Sequence, residues 1–413
     1  IWYTPGVADP CKEIQKNPER VFDYTNKSNA VAIVTDGTRV LGLGDIGPEA
    51  GLPVMEGKAL LFKYLGGVDA YPICLGTKDP AEIENAVRWL QPSFGGVNLE
   101  DISQPKCFDI LDNLRNTCEI PVWHDDQQGT GTVVCAGLIN SLKLVGKKLK
   151  DAQISILGAG AANIAVARII IEAGIAPGNI VMVDTRGILN KERTDLQDAF
   201  KAKWDIALRT NSENRTGGLE DAIKGSDALL AMSHSGPGIV PKELIKTMAD
   251  NPIVFACANP IPEIWPWEAK EAGAKIVATG RSDFPNQVNN SIGFPAIFRG
   301  TLDVRARAIS DEMCIAAATE IARVAEEDGL DEDKIIPSMS DWEVFPREAA
   351  AVGETAVRQG LARTKMSRRA LYDRASEIIT HARKSTDLLM KRGIIKGFPS
   401  STKRRGEKRT AQR

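Results

Sequence analysis

The sequence predicts an α/β protein of two domains, an N-terminal α/β domain with a parallel sheet and a doubly wound sheet of Rossmann type. Three observations carry that expectation. Between residues 52 and 127, helical runs (EGKALLFKYLGG, DPAEIENAVRWLQ, KCFDILDNLRNT) alternate with short β-rich runs (AYPICL, FGGVNLED, IPVWHDD), the pattern of parallel βαβ units. In AQISILGAGAANIAVARIIIEAGI a strand, a Gly-rich turn and a helix follow one another, and NIVMVD supplies a second strand. A chain of 413 residues also exceeds what one hydrophobic core comfortably fills.

Taken in order, AVAIVTDGTRVLGLGDIG (30–47) sets two β-rich runs around Asp36-Gly37, a dipeptide suited to a tight turn, and reads as a hairpin. The alternating segment 52–127 follows, and three of its strands end on chemically interesting residues, where parallel sheets open their ligand crevice. GTGTVVCAGLINSLKLVGKKL (129–149) has helical apolar spacing with a Gly-Lys-Lys ending, and reads as a helix joining the domains. SDALLAMS, PIVFACANP and AKIVATG extend the second sheet. Beyond about residue 290 the pattern is helical without strand signals, so that part must pack on existing sheets. The basic end, PSSTKRRGEKRTAQR, lacks apolar periodicity and is expected to be disordered. The chain opens at Ile1 inside a motif-like stretch without a Met, from which a missing leading segment is expected.

A net charge of -2 provides no field to attract nucleic acid or a membrane surface, so small molecules are the expected partners. No apolar run reaches the roughly 18 residues of a spanning helix. Seven cysteines, scattered and without a C-x-x-C pair, argue for reduced thiols and a cytoplasmic setting.

Gly158, Gly160, Ala161, Ala162 and Asn163 stand where a dinucleotide fingerprint stands, after a strand and opening a helix. The first glycine permits the turn, the second lets backbone approach pyrophosphate, and the helix N-terminus offers unpaired N–H groups. Asn163 departs from the fingerprint's third small residue; it either loosens helix–strand packing or offers a polar group to the cofactor. Asp184, ending the next strand, suits ribose hydroxyls and favours NAD, while Arg186 suits a 2′-phosphate and keeps NADP open.

Glu100-Asp101 and Asp126 each follow a strand, so three carboxylates can converge at one sheet edge, a hard-oxygen set suited to Mg²⁺ or Mn²⁺. The competing reading is ordinary acidic loops, with Asp125 or Asp126 as a helix N-cap. His124 has no histidine-rich surroundings, since the chain holds three histidines, and is expected to pack or hydrogen-bond. Lys58 reads as lying just inside a helix, where burial and the helix dipole would lower its pKa toward that of a base; a solvated lysine is the alternative. Tyr3 has the same ambiguity. No Ser-His-Asp or Cys-His pattern supports a hydrolase.

YTPGVADPC, TDGTRVLGLGDIGPEAG, PVMEGKA, FGGVNLEDI, HDDQQGT, ILGAGAA, ANPIPEI and GRSDFPNQVNNSIGFP, in this order over residues 3–295, resemble the blocks of the malic enzymes in their short prokaryotic form. The resemblance implies oxidative decarboxylation of L-malate with NAD or NADP and a divalent metal. It implies Tyr3 as acid, Lys58 as base and Asp125 as the carboxylate that sets the lysine's charge. Glu100, Asp101 and Asp126 are the implied metal ligands, Arg39 the clamp on substrate carboxylate, and Asn259 and Asn290 amides reaching substrate. Thr130 and Asn289 are implied beside substrate and nicotinamide.

It further implies a first domain of residues 1–128 completed by helices from 291–395. A nucleotide domain of 129–290 is inserted between them, the tail 396–413 follows, and the assembly is a homodimer or dimer of dimers. Gln128 stands where short members often carry His. That departure and Asn163 leave malolactic and oxaloacetate-decarboxylating activity as alternatives, with an inactive nucleotide-binding module as a rival of another class.

Overall fold

The computed structural model describes residues 3–396; residues 1–2 and the basic stretch from 397, expected to be disordered, lie outside it. After α1 (Ala8–Lys16) and α2 (Val21–Tyr24), the first sheet is built from β1 (Ala30–Thr35), β2 (Asp69–Cys74), β3 (Gly96–Leu99) and β4 (Val122–His124). Its crossovers are α3 (Pro48–Gly66), α4 (Pro80–Leu90) and α5 (Lys106–Thr117). The order is β2-β1-β3-β4, all parallel. The direction in which successive strands are added across the sheet therefore reverses between β1 and β3, and the crevice of such a sheet opens beyond the C-terminal ends of those two strands.

The hairpin expected over 30–47 does not form. Both edges of β1 are taken by β2 and β3, so no edge remains for a partner strand. Residues beyond Asp36 instead form a loop with one isolated bridge, Val40 to Gly44. Gly37 does adopt the left-handed φ of 68°, but to close the loop base, where an added Cβ would meet Gly47 backbone at 2.3 Å.

α6 (Thr130–Leu144) is apolar on nearly all sides and accordingly buried; it leads into the second sheet. There β5 (Ile154–Leu157), α7 (Ala161–Glu172), β6 (Ile180–Asp184), the short β7 (Gly187–Ile188), α8 (Lys201–Arg209), α9 (Leu219–Ile223), β8 (Ala228–Ala231), α10 (Lys242–Ile245), β9 (Ile253–Ala256), α11 (Pro266–Glu271) and β10 (Ile276–Thr279) follow in sequence. The sheet order is β10-β9-β8-β5-β6-β7, parallel except for the antiparallel edge strand β7, which the sequence pattern did not signal. Its reversal lies between β5 and β8, directly under the Gly158 turn.

The chain closes with α12 (Phe294–Asp303), α13 (Asp311–Glu327), α14 (Val344–Arg358) and α15 (Arg368–Lys391). α12 and α15 pack on α3, and α13 packs on α6. Gly66 permits the first of these contacts, since a Cβ there would lie 2.6 Å from Pro295 O. One buried apolar cluster runs from the first sheet through α6 into β5, β6 and the C-terminal helices. Among the described residues no helix is long and apolar enough to cross a membrane.

Candidate active site

β3 and β4 pair in register, Leu99 opposite His124, so the residues that follow them emerge side by side. Glu100 and Asp101 thus meet Asp125 and Asp126 at the crevice. Asp101 takes a left-handed φ of 54°, and its N–H donates to Asp126 Oδ2 at 2.9 Å. Carboxylate oxygens of Glu100, Asp101 and Asp126 lie within 4.8 Å of one another. Glu100 Oε2 is held by Asn98 Nδ2 at 2.8 Å, while Asp101 Oδ2 is buried without a partner.

Burial and then the Asp126 charge push the Asp101 carboxyl up to about 8. Burial, against the opposing pull of Lys58, also raises Glu100 well above the usual carboxylate range. Three close carboxyls, one with an orphaned oxygen, fit a hard divalent cation, whose charge relieves the mutual repulsion.

Lys58 lies mid-way along α3, not just inside its positive end as expected, because the helix begins at Pro48. Its Nζ donates to Glu100 Oε1 at 2.7 Å and Asp125 Oδ2 at 2.5 Å, and sits 4.4 Å from the centre of the Phe294 ring. Burial alone would lower its pKa, as expected from the sequence, but the Asp125 and Glu100 carboxylates outweigh burial and hold it above an ordinary lysine. The expectation of a depressed pKa is therefore reversed in the protein without ligands.

Asp125 is the hub of this cluster. Besides Lys58, its Oδ2 accepts from Asn290 Nδ2 at 3.1 Å, and Oδ1 accepts from Trp123 Nε1 at 3.4 Å. It begins a wide turn, Asp125–Gly129, closed by Thr130 N–H on Asp125 O, the i→i+5 spacing of a π-type turn. The turn is tight around the carboxylate: a Cβ on Gly129 would stand 1.9 Å from Asp125 Oδ1. No side chain caps the turn, so the N-cap alternative for Asp125 and Asp126 does not hold. Thr130 Oγ1 donates to Asn290 Oδ1 at 3.2 Å, joining the start of α6 to the segment before α12.

His124 is fully buried, with Nδ1 3.7 Å from Asp126 and neither ring nitrogen hydrogen-bonded; burial lowers its pKa. Gln128 turns away from the carboxylates: Oε1 accepts from His124 N–H at 3.3 Å, and Nε2 faces Cys314 Sγ at 4.0 Å. Arg39 is exposed, with its backbone N–H on Asp101 O at 2.9 Å and its guanidinium on Leu41 O at 2.6 Å. Asn259 comes beside this loop from the second sheet, where its carbonyl O would lie 2.3 Å from a Cβ on Gly42. Asn289 spends its Oδ1 on Ser291 N–H. Tyr3 stands apart, 83% exposed, and is not among the groups hydrogen-bonded to Lys58.

In the second sheet Gly158 has φ 100° and donates its N–H to Val183 O, while Gly160 precedes the first turn of α7, where Ala161 and Ala162 leave the helix N-terminus uncovered. Asn163 is buried beneath that turn, its Nδ2 on Leu157 O and Gly158 O at 2.8 and 3.0 Å. The side chain fastens the turn to the sheet; it neither loosens the packing nor projects toward a cofactor. Asp184 is not an open carboxylate: Arg193 grips both of its oxygens, at 3.1 and 3.2 Å. Arg186 is exposed and pairs with Asp195.

Sequence reasoning missed several members of this site. Asn98, which orients Glu100, was signalled only by a polar residue inside the buried run of β3. Lys106, paired with the buried Asp36 beneath the Arg39 loop, and Arg193 had no local signal.

The Gly-rich turn at one sheet's switch point and the lysine–carboxylate cluster at the other's define a class, the nicotinamide-nucleotide-dependent oxidoreductases. Comparison with known proteins narrows it. Residues 1–115 match the family model described as malic enzyme, N-terminal domain, and residues 127–357 match malic enzyme, NAD binding domain. A bifunctional malic/malolactic enzyme of Bacillus subtilis is 50% identical over 361 residues, 87% of either chain. An NADP-dependent malic enzyme of Halomonas elongata is 44% identical, again over 87% of each. The malic enzyme structure of Entamoeba histolytica superimposes with a TM-score of 0.94 at 49% identity, covering 96% of this chain and 84% of that one. The chain belongs to the malic enzyme family, whose members are oxidoreductases dependent on NAD or NADP.

Proposed function

We propose that the chain converts L-malate to pyruvate and CO₂ with reduction of NAD or NADP, dependent on a divalent cation. The observation that supports this most is Lys58 shared between Asp125 and Glu100, with Glu100 also one of three converging carboxylates. Glu100, Asp101 and Asp126 would hold Mg²⁺ or Mn²⁺, which supplies Lewis acidity to the C2 oxygen during oxidation and to the ketone oxygen during loss of CO₂.

Lys58 accepts the C2 hydroxyl proton as hydride leaves for the nicotinamide. For this it must first shed its own proton; a cation held by Glu100 would weaken one of the two charges that retain it. Asp125 keeps the amino group aimed. Arg39 clamps a substrate carboxylate, and Asn259 and Asn290 orient the substrate. Thr130 and Asn289 border substrate and nicotinamide. Gly158, Gly160, Ala161 and Ala162 receive the pyrophosphate, and the lone pairs Arg193 leaves on Asp184 face ribose, with Arg186 nearby for a 2′-phosphate. Tyr3 returns a proton to C3 of the enol of pyruvate. We read residues 291–395 as completing the first domain, because α12 and α15 pack on α3.

The malolactic reaction is the second reading, favoured by the printed name of the Bacillus subtilis relative. Purified protein incubated with L-malate, Mn²⁺ and either NAD or NADP decides between them. Pyruvate with equimolar reduced cofactor is expected; lactate without net reduced cofactor would replace the oxidative reading.

A further inference from the structure

We propose that Lys106 is a positioning residue for substrate: through Asp36 and Thr38 it locks the Arg39 loop to the segment that carries Asp101. This deepens the proposed function and rests on its reading of Arg39 as the clamp on a substrate carboxylate. The loop has little apolar burial to hold it in place. From Arg39 to Asp45 only Val40 is buried, Leu41 and Leu43 are exposed, and Leu41 takes a left-handed φ of 46°. A clamp on so open a loop is only as well aimed as the polar contacts beneath it.

Those contacts run in one chain. Asp36 is wholly buried, and its Oδ1 accepts from Thr38 N–H at 3.1 Å and from Thr38 Oγ1 at 2.6 Å. With its proton committed to Asp36, Thr38 Oγ1 turns a lone pair to Ser103 N–H at 2.9 Å, while Arg39 N–H donates to Asp101 O, also at 2.9 Å. Residues 38–39 and 101–103 are thus clasped by two hydrogen bonds, and Asp36 sets the direction of the first. The other oxygen of Asp36 accepts from Lys106 Nζ, which also reaches Lys78 O at 3.0 Å. One ammonium group therefore joins the segments that follow β1, β2 and β3. Lys106 is the first residue of α5, where a cation opposes the helix dipole. The carboxylate it meets, and not helix stability, accounts for a lysine there. Without the ammonium group a buried carboxylate is left short of its counter-charge, and the clasp that Asp36 directs loosens.

The test measures KM and kcat for L-malate, with saturating Mn²⁺ and cofactor, in Lys106→Met, Thr38→Val and Arg39→Ala and in the doubles that combine Arg39→Ala with each of the other two. Misplacing the clamp by about 1 Å is worth on the order of 10²-fold in kcat/KM. Because a clamp on a spectator carboxylate holds substrate and transition state alike, the loss is expected as a raised KM, with kcat within about threefold of wild type. Thr38→Val keeps the side-chain shape and the Lys106–Asp36 pair, so it reads the clasp even where Lys106→Met does not fold. In the doubles neither change should add more than about twofold to the effect of Arg39→Ala, because both act through Arg39. Mn²⁺ affinity by calorimetry should hold, since β3–β4 pairing and the Asp101 N–H on Asp126 keep the carboxylates together. Effects that multiply in full, a wild-type KM in folded Thr38→Val, or an Mn²⁺ affinity that falls as far as KM rises would overturn the proposal. A wild-type KM in Arg39→Ala would instead remove the clamp reading, and this proposal with it.

Discussion

Gly129→Ala sets two physical effects against each other. Gly129 has ordinary right-handed helical angles, φ −65° and ψ −49°, so helix propensity alone predicts that alanine stabilises the turn by about 1 kcal/mol. The Asp125 carboxylate predicts the opposite. The new Cβ would lie 1.9 Å from Oδ1 and 2.8 Å from Cγ, so Asp125 must retreat by about 1.5 Å to reach an ordinary contact. Asp125 cannot do so without leaving Lys58, Asn290 and Trp123, its three side-chain partners. A misplacement of about 1 Å in a catalytic group is worth on the order of 10²-fold in rate. The expected result is a folded protein whose kcat for malate oxidation falls on the order of 10²-fold, about 2.7 kcal/mol in barrier. Steady-state assays with saturating Mn²⁺ and cofactor, alongside thermal unfolding, read both effects. A variant with wild-type kcat would refute the argument that Asp125 positions Lys58.

Three further outcomes follow from the geometry. Mn²⁺ binding at pH 7 should release protons, because Asp101 near 8 and the raised Glu100 retain theirs in the metal-free protein. Affinity should accordingly climb as pH rises toward 8, and calorimetry in buffers of different ionisation enthalpy would detect release; Asp126→Ala should abolish binding, and unchanged Mn²⁺ affinity would remove it as a ligand. Gly158→Ala forces alanine to φ 100° with its Cβ 3.0 Å from Met232 O. That strain costs about 1–3 kcal/mol at the turn, so NADH fluorescence titration should show affinity weaker by about 5- to 100-fold, with the fold retained on circular dichroism.

Glu348 on α14 is fully buried with both carboxyl oxygens unpartnered, and burial first, then Glu320, raises its pKa well above the usual range. The folded state thus keeps a proton that the unfolded state loses as pH rises past about 4.3, and stability declines with pH above that point. Glu348→Met should recover stability at pH 7 and little at pH 4, read from denaturant midpoints. An equal gain at both pH values would show that ionisation is not the cause.

Much of the fold was legible because strand and helix periods are local properties. The βαβ alternation from 52 to 127, the Gly158 turn and the strandless C-terminal helices all appear where the patterns placed them. The hairpin at Asp36-Gly37 failed because a turn dipeptide reports only local backbone freedom; whether an edge of β1 was available depended on β2 and β3, which come much later in the chain. Asn163 was misread for a similar reason. Its position was visible, but the carbonyls of Leu157 and Gly158 that claim its amide are turned toward it only once the strand and helix have packed.

For the site, the sequence by itself determined which groups stand at strand ends. Residues following β3 and β4 in a parallel sheet must emerge at one edge, so Glu100, Asp101, Asp125 and Asp126 could converge there; that β3 and β4 lie side by side was decided by the fold. Tertiary structure decided their charges. A pKa depends on burial and on every charge within a few ångströms, and Lys58 lies 42 and 67 residues from its two partners. The same lysine therefore changed from an expected weakened base to a tightly held ammonium ion when α3, packed on β1 and β2, brought it to the carboxylates that follow β3 and β4.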